Sequence, residues 1–427
     1  MALLSPGSTL APLANRDYRL LLAGFAISQM MMPLQFITQI LWVQQFAPRD
    51  IWLILVAGIA ASRGLGALVF GLYGGALADR FDRRKLLLWL QLLQIVGTLM
   101  IAGLMYSAAG ELWGYICFFA LTFVTSGLQA VDGPTRLAIV PDVLGLELTA
   151  AGLSLNQVAG QVVIPLAMMM TGILIDQLGF SGAYLCNIVG NIIAIVCIYR
   201  MHYQPDESQH LRKGARYGLG EVFRDVSMGL KWARHHVVIF WLIMLLVLMM
   251  GLGYPATASL GPTWITTVVK VQIRDMGFIV MFWGLGSLLG AVIMARLASY
   301  ERRGLLIALG ALLYALAFVV FVSDHTKLNA IIGNIGLGAG MTTTMVSSTI
   351  LIQHLTPNEM RGRIMSLLQL NMAFAQLMTM PVAMLAQWLT LPVLFPFLSY
   401  VTLGIVVLIL ATQLQLVRTR ITAAGTG

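Results

Sequence analysis

The residues with the most evident chemistry form a short run of charge between two apolar stretches, Asp79-Arg80-Phe81-Asp82-Arg83-Arg84-Lys85. Carboxylates and guanidinium groups at this spacing can form ion pairs. A carboxylate also favours the N-terminal end of a helix, by about 0.3–1 kcal/mol when exposed and up to roughly 2 kcal/mol when partly buried. A short and strongly positive loop of this kind is expected to stay on the cytoplasmic side of a membrane. The run therefore predicts an anchor at that surface.

Arg63 is a single cation well inside an apolar stretch that begins near residue 51. An arginine near the middle of a bilayer costs about 2.5–3.5 kcal/mol on insertion scales, so it is expected to face water or a partner. Two interpretations are open. Arg63 either attracts an anionic substrate or takes part in coupling, or it forms a structural pair with backbone carbonyls or a polar neighbour.

Several neutral polar residues also interrupt the apolar stretches. Pairs four residues apart share one face of a helix, and such a face can line a passage or bond neighbouring helices together. We consider the following as candidates for a substrate cavity beside Arg63: Gln29, Gln35, Gln39, Gln157, Gln161 and Asn371.

The sequence contains none of the usual catalytic combinations. There is no His-Glu-x-x-His, no Gly-x-x-x-x-Gly-Lys-Ser/Thr phosphate loop and no pair of carboxylates deep in an apolar stretch. Cys117, Cys186 and Cys197 are dispersed and predict small core residues rather than metal ligands. We therefore expect a protein that is not an enzyme and that holds no metal and no cofactor. A non-transporting receptor is less favoured, because it would be expected to carry a large soluble domain.

The composition indicates that lipid surrounds most of the chain. Of 427 residues, 59% are hydrophobic and 10% are charged, against about 25% charged in soluble proteins. The net charge of +9 is assigned to loops on the cytoplasmic side, and nucleic acid is not expected as a partner. No cleavable signal peptide is recognised in residues 1–18.

Crossing a bilayer takes about 20 apolar residues, and this criterion predicts an all-α membrane protein with twelve transmembrane helices. With both termini in the cytoplasm, loops on that side collect 21 of the 26 Lys and Arg residues, as the positive-inside rule requires. The predicted location is the plasma (inner) membrane. The predicted spans are 19–45, 51–77, 86–108, 112–133, 150–175, 181–202, 237–262, 277–298, 304–323, 329–353, 364–387 and 391–416.

The predicted domain organisation is two bundles of six helices. Similar prolines recur 216 residues apart, such as Pro141 and Pro357, and Pro165 and Pro381, so the halves are predicted to be pseudo-symmetric. The polar linker carries a stretch from Gly218 that predicts either a short surface helix or a solvated segment. The domains are a cytoplasmic segment 1–18, a bundle 19–203, a linker 204–236, a bundle 237–417 and a cytoplasmic tail 418–427.

The charged run resembles a known signature. The loop between the second and third spans is similar to the loop motif of the major facilitator superfamily, with the sequence Gly75-x-x-x-Asp79-Arg80-x-x-Arg83-Arg84-Lys85. A degenerate copy of the motif lies between Gly290 and Arg303. Three further stretches resemble the branch of enterobactin-type siderophore exporters and macrolide efflux proteins: Leu13 to Arg19, Asp132 to Asp142, and Pro357 to Arg363.

Two departures from the resemblance bear on function. The signature usually has Gly where this chain has Asp82, and the fifth span keeps Pro165 but lacks the neighbouring glycines of typical exporters. The second departure weakens the inference that transport is directed outward. It does not weaken the inference of transport.

The resemblance implies a gate between the two bundles. In this family Asp79 would reach the start of the eleventh span near Arg363, and Arg83 would bridge Asp79 to Asp132. The implied gate comprises Gly75, Asp79, Arg80, Arg83, Arg84, Asp132, Arg136 and Arg363. No carboxylate lies near the predicted bilayer midplane, so proton coupling is implied by the family alone and Asp132 is the best candidate for a proton carrier.

The expected function is secondary active transport by alternating access, most simply proton-coupled efflux of an amphipathic small molecule such as a drug or siderophore. A flippase for lysolipid or other lipid and an importer of an anionic iron chelate are the alternatives. The expected partners are a small-molecule substrate, membrane lipid and protons as coupling ion, and the chain is expected to act as a monomer.

Overall fold

A computed structural model describes residues 10–107, 111–203 and 219–421, and gives the backbone alone at 72–80, 219–223, 225–226 and 369. Throughout this described part the chain is helical and contains no strand. The first three long helices are α1 (Arg16–Phe46), α2 (Trp52–Arg80) and α3 (Arg83–Ser107). They correspond to the first three predicted spans.

Next, one continuous run of helix, Leu112–Arg200, covers 89 residues. Two glycines interrupt it with backbone angles that other residues rarely adopt, Gly145 (φ 73°, ψ 167°) and Gly179 (φ 68°, ψ 178°). The run is therefore three helices, which we label α4 (112–144), α5 (146–178) and α6 (180–200). The fourth and fifth predicted spans lie within α4 and α5, and the sixth, 181–202, coincides with α6 except that it ends two residues later.

The remaining helices begin after the polar linker. An amphipathic helix precedes a series of apolar ones, and a π-helical turn, Pro255–Ser259, directly follows α8. The helices are α7 (Leu219–Arg234), α8 (Val237–Tyr254), α9 (Gly261–Thr267), α10 (Ile273–Arg296), α11 (Arg303–Val322), α12 (Lys327–Leu355), α13 (Asn358–Leu377), α14 (Thr379–Leu389), α15 (Leu391–Thr412) and α16 (Leu414–Arg418).

Within the described residues, ten helices are long and apolar enough to cross a membrane, and one of them is the 89-residue run. Counting its three segments separately gives twelve, which confirms the predicted fold class. Helix α3 illustrates the fit to lipid. It exposes a row of large apolar side chains on one side, among them Leu92, Val96 and Leu99, which a soluble protein would not leave in water.

Contacts along the chain divide it into two compact units. Unit 1 contains the chain up to Asp50 and then from Leu65 through α6. Unit 2 contains everything from α7 onwards and also Ile51–Gly64, the first half of α2. In the predicted organisation all of α2 belongs to the first bundle, and those domain limits stay a prediction.

Gly64 explains how the start of α2 packs within unit 2. A Cβ atom at this position would lie 3.0 Å from the carbonyl oxygen of Ala373 and 3.0 Å from Cβ of Gln376. Helices approach this closely in membranes where small residues face each other. The absence of a side chain at Gly64 therefore lets α2 lie directly against α13, and it carries the neighbouring Arg63 into unit 2.

The break at Gly145 gives a testable prediction. Its φ of 73° is strained for any residue with a Cβ, so Gly145→Ala should lower the free energy of unfolding by about 1–3 kcal/mol. Gly103→Ala is the matched control, since Gly103 lies inside α3 where an added Cβ atom would meet open space. Thermal unfolding of both variants in detergent measures the difference. Equal stability of the two would show that the turn does not require a glycine.

Candidate functional site

The charged run contains a helix cap. The Asp82 carboxylate accepts hydrogen bonds from the backbone N–H groups of Arg84 (2.9 Å) and Lys85 (3.2 Å). These are two of the N–H groups that have no partner inside α3. Aspartate is among the strongest N-cap residues. The departure from the usual glycine at this position therefore has a structural reason, because the carboxylate fixes the start of α3.

Arg83 connects this loop to the end of α4. Its guanidinium donates to Asp142 (2.8 Å) and to the carbonyl of Ala138 (2.8 Å). The Tyr203 hydroxyl donates to the same Asp142 carboxylate at 2.7 Å, and burial, with this hydrogen bond second, raises the pKa of Tyr203. Asp142 is thus the carboxylate that Arg83 binds. The predicted bridge from Arg83 to Asp132 is wrong, because Asp132 pairs with Arg136 instead.

Arg84 binds the C-terminal end of α6. It donates to the carbonyls of Ile198 (3.3 Å), Tyr199 (2.7 Å) and Tyr203 (3.4 Å). The last carbonyls of a helix lack partners and carry partial negative charge, so a cation is favoured there. The loop that contains Asp82, Arg83 and Arg84 therefore joins three helix ends of unit 1.

The other residues of the predicted gate are only partly described. The side chains of Gly75, Asp79 and Arg80 lie outside the described residues. Arg363 is half-buried at the start of α13 and donates to Met360 Sδ at 3.4 Å. The gate itself therefore stays a prediction.

A second ionic group lies deeper in unit 1, formed by Asp132 and Arg136 on α4. Arg136 Nε donates to the Asp132 carboxylate at 2.7 Å, and the Arg136 side chain is fully buried while that of Asp132 is 14% exposed. Gln91 on α3 donates to the other oxygen of Asp132 at 2.9 Å, and Arg136 donates to Ser28 on α1 at 3.2 Å. The pair therefore joins three helices.

Arg136 fits against α1 because Gly24 has no side chain at the point of contact. A Cβ atom on Gly24 would lie 3.0 Å from Arg136 Nη1. That same Nη1 is buried and has no hydrogen-bond partner among the described residues. A buried cation with one unsatisfied nitrogen depends on Asp132 for most of its compensation.

The stretch from Leu13 to Arg19 carries part of the family resemblance. In the structure it positions the start of α1. Asn15 caps α1 by accepting from the N–H groups of Asp17 (2.8 Å) and Tyr18 (3.2 Å). The Asn15 amide donates to Val143 O at 3.0 Å, and the Tyr18 hydroxyl donates to Gly152 O at 2.7 Å. The motif holds α1 against both sides of the Gly145 turn.

The predicted cavity residues separate into two groups. Gln35 and Gln39 are buried and bond helices of unit 1 together: Gln39 donates to Tyr184 (3.0 Å) and Thr122 (3.3 Å), and Gln35 accepts from Gln129. The others differ in their exposure. Gln29 and Gln161 are half-buried, Gln157 is exposed, and Asn371 is buried with no partner for either amide atom among the described residues.

Arg63 lies in unit 2 and is 8% exposed. Arg63 lies near Tyr254 at the end of α8, and the Tyr254 side chain lies near that of Gln376 on α13. Arg63 was recognisable from the sequence, whereas Tyr254 was missed, although the Tyr-Pro pair within an apolar span was a signal for an irregular helix. Asp142 and Tyr203 were likewise missed as ionic partners. In the described part of the chain, no group of three His, Cys, Asp or Glu residues could hold a metal ion.

The helical architecture and the placement of the charged loop after the second span agree with the comparison to known families. The model of the Major Facilitator Superfamily matches residues 20–380. The chain belongs to this superfamily. It is therefore a multi-pass membrane protein of a transporter family.

Individual relatives are distant. BacE, a candidate bacilysin exporter of Bacillus subtilis, is 24% identical over 324 residues, which are 74% of this chain and 76% of BacE. The hexose transporter HXT13 of Saccharomyces cerevisiae is 33% identical over only 100 residues, 23% of this chain and 18% of that protein. The match to the hexose transporter thus spans under a fifth of its length.

Two solved structures share the fold. The nucleoside transporter NupG has a TM-score of 0.70 at 11% identity, covering 94% of this chain and 98% of that chain. An auto-inhibited peptide transporter of the POT family has a TM-score of 0.71 at 13% identity, covering 96% and 99%. At these identities the similarity supports the architecture and not the substrate.

The pair of Asp132 and Arg136 predicts an unequal response to mutation. Arg136→Gln leaves Asp132 without its partner and should cost about 3–5 kcal/mol of stability, because breaking one side of a buried ion pair is more harmful than removing both. The double variant Asp132→Asn with Arg136→Gln should recover part of the loss. Thermal unfolding of the detergent-solubilised proteins tests this, with the exposed Arg302→Gln as control. Additive effects of the two substitutions would contradict a direct interaction.

Proposed function

We propose that the protein is a secondary active transporter that works by alternating access and exports an amphipathic small molecule, such as a drug or siderophore, in exchange for protons. The superfamily match supports transport. The similarity to BacE over three quarters of both chains supports the outward direction. The siderophore and macrolide branch of the family is the proposed placement within the superfamily.

The observation that carries proton coupling is the ion pair in unit 1. Asp132 is partly exposed while Arg136 is fully buried. A proton arriving on Asp132 would leave the Arg136 charge buried without its carboxylate, which is unfavourable in a medium of low polarity. The helices that carry the pair would then have to rearrange so that Arg136 regains compensation. Protonation of Asp132 and the conformational change are thereby linked through one ion pair.

The charged loop supplies the proposed gate. Asp82, Arg83 and Arg84 hold the start of α3 against the ends of α4 and α6 in unit 1. In the proposal Asp79 binds the N-terminal end of α13 near Arg363 in one state and leaves it in the other. Gly75, Arg80 and Arg136 complete the proposed set. The proposal includes a location in the plasma membrane, cytoplasmic termini and action as a monomer.

Transport in inside-out vesicles tests the function. An exporter should accumulate its solute in such vesicles when a proton gradient is imposed, and an ionophore that dissipates the gradient should abolish accumulation. Siderophores, macrolides and lysolipids are the solutes to compare. Accumulation that persists without the gradient would rule out proton exchange. Gradient-driven uptake into right-side-out vesicles instead would favour an importer of an anionic iron chelate.

Asp132→Asn tests the proton carrier, because an amide has nearly the shape of the carboxylate and does not titrate. We expect loss of gradient-driven accumulation with exchange of solute down its own gradient retained. Glu301→Gln, an exposed acid in unit 2, is the matched control and should transport normally. An Asp132→Asn protein that still accumulates solute against its gradient would remove Asp132 from the coupling mechanism.

Asp79→Asn tests the gate. Losing the carboxylate should shift the conformational equilibrium by about 1–2 kcal/mol, or about 5- to 30-fold. The shift is measured by the labelling rate of single cysteines introduced on either side, in a background lacking Cys117, Cys186 and Cys197. Faster labelling on the cytoplasmic side and slower labelling on the other are expected. Unchanged rates on both sides would show that Asp79 is only an anchor.

A further inference from the structure

Unit 2 contains a buried arginine whose charge is not compensated. Arg303 is the first residue of α11 and is 3% exposed. Its Nη2 donates to the carbonyl oxygen of Ala298, whereas Nε and Nη1 are buried and have no hydrogen-bond partner among the described residues. Within that part of the chain Arg303 also forms no ion pair. A buried charge normally has a partner of opposite sign.

The position of Arg303 in its helix makes the charge less favourable still. The N-terminal end of a helix carries a partial positive charge and favours anions. The first turn of α11 contains no acid, and Arg302 at the N-cap position makes no capping hydrogen bond with its side chain. The backbone N–H of Gly304 donates to the carbonyl of Thr419 at 3.1 Å. This neutral contact satisfies a donor and leaves the positive charge in place.

The first copy of the loop motif, in unit 1, compensates its arginines with residues of the chain. Glu301-Arg302-Arg303 corresponds there to Asp82-Arg83-Arg84, since both are an acid followed by two arginines at the start of a helix. Arg83 binds the Asp142 carboxylate at 2.8 Å. Arg84 donates to three carbonyls at the end of α6. Each of the two cations therefore has its partners within unit 1.

The second copy keeps the arginines and loses carboxylates. At the repeat spacing of 216 residues, Ala295 takes the position of Asp79. At the same spacing Asn358 takes the position of Asp142, the acid that Arg83 binds in unit 1. The guanidinium of Arg303 donates to one carbonyl instead of three. The second copy of the motif is thus short of negative charge.

The chain around Arg303 is strongly basic. Segments 296–303 and 413–421 contain five arginines and a single acid, Glu301. The segments pack together, because Ile421 N–H donates to Glu301 O at 2.8 Å and a Cβ atom on Gly304 would overlap the carbonyl oxygen of Leu416. Such a surface attracts anions. The other four arginines are all exposed, namely Arg296, Arg302, Arg418 and Arg420.

A phosphate group suits this environment. It presents several anionic oxygens, and arginine is the residue that binds phosphate with the most hydrogen bonds. The predicted topology places this end of unit 2 on the cytoplasmic side, at the level of the phospholipid headgroups. Basic pockets in such positions bind anionic headgroups. A soluble phosphate reaches the same surface from the cytoplasm and has the same chemistry.

We propose that segments 296–303 and 413–421 form a phosphate-binding site in unit 2, with Arg303 as its buried cation. The phosphate belongs to an anionic phospholipid or to a soluble anion, and its oxygens accept from Nε and Nη1 of Arg303. Because both nitrogens are covered, residues 298–302 shift when the phosphate binds. The site does not depend on the cargo or on the direction of transport.

Lipid binding to the purified full chain tests the site. The probes are dioleoyl phosphatidic acid and dioleoylglycerol, which differ only by the phosphate. Native mass spectrometry in neutral detergent gives the affinity for each lipid. The wild type should bind phosphatidic acid at least about tenfold more tightly, as expected for hydrogen bonds between charged groups. Equal affinities would overturn the proposal.

Substitutions assign the preference to Arg303. Arg303→Gln should lose most of it, and Arg303→Lys should keep a part because the charge remains while the planar guanidinium is lost. Arg274→Gln is the matched control, since Arg274 is an exposed arginine of unit 2 at the start of α10, and should bind like the wild type. An Arg303→Gln protein with the full preference would reduce the effect to general attraction by a basic surface and would overturn the site.

Thermal unfolding gives a second measurement on the same variants. Without lipid, Arg303→Gln should be at least as stable as the wild type, because it removes a buried charge that lacks a partner. Phosphatidic acid should raise the Tm of the wild type and not that of the variant, since only the wild type binds it. A variant that is less stable than the wild type without lipid, or that fails to fold, would count against the site.

Hydrogen exchange of the wild type needs no variant. Phosphatidic acid, and not dioleoylglycerol, should change amide exchange in residues 297–303 and 414–421. Unchanged exchange in both segments would overturn the proposal even if the lipid binds elsewhere. Inorganic phosphate then separates the two sources. Displacement of phosphatidic acid by inorganic phosphate would identify a soluble anion as a sufficient ligand, whereas binding that persists would assign the site to phospholipid.

Discussion

The rest of this molecule depends on one constraint. A charged side chain buried in a medium of low polarity needs a partner that compensates its charge. Arg136 is completely buried in unit 1, and its Asp132 partner lies 2.7 Å away on a neighbouring turn of the same helix. Removal of that negative charge would be costly, and the pair holds three helices together. In the proposed mechanism the same pair is where a proton changes the structure. Stability and the proposed coupling thus arise from the same contact.

The charged loop follows the same rule at the surface of unit 1. Asp82 satisfies N–H groups at the start of α3, Arg84 satisfies carbonyls at the end of α6, and Arg83 neutralises Asp142 near the end of α4. Helix ends carry unpaired groups and partial charges, so one short segment with both signs of charge can bind three of them. The described residues of the loop are therefore tied to three helix ends, and the proposed gate gives Asp79 a separate role.

Composition, the length of the apolar stretches and the distribution of Lys and Arg were enough to determine the all-α membrane class and twelve spans. Each crossing of a bilayer needs about the same length and must satisfy its backbone hydrogen bonds internally. The superfamily was also recognisable, since its loop motif is local in sequence. Ion-pair partners were not, because Asp132 and Asp142 both lie in the C-terminal half of α4 and only packing decides which one Arg83 meets. The association of Arg63 with Tyr254 and Gln376 likewise joins residues distant in sequence, and the close approach at Gly64 that permits it exists only in the folded chain.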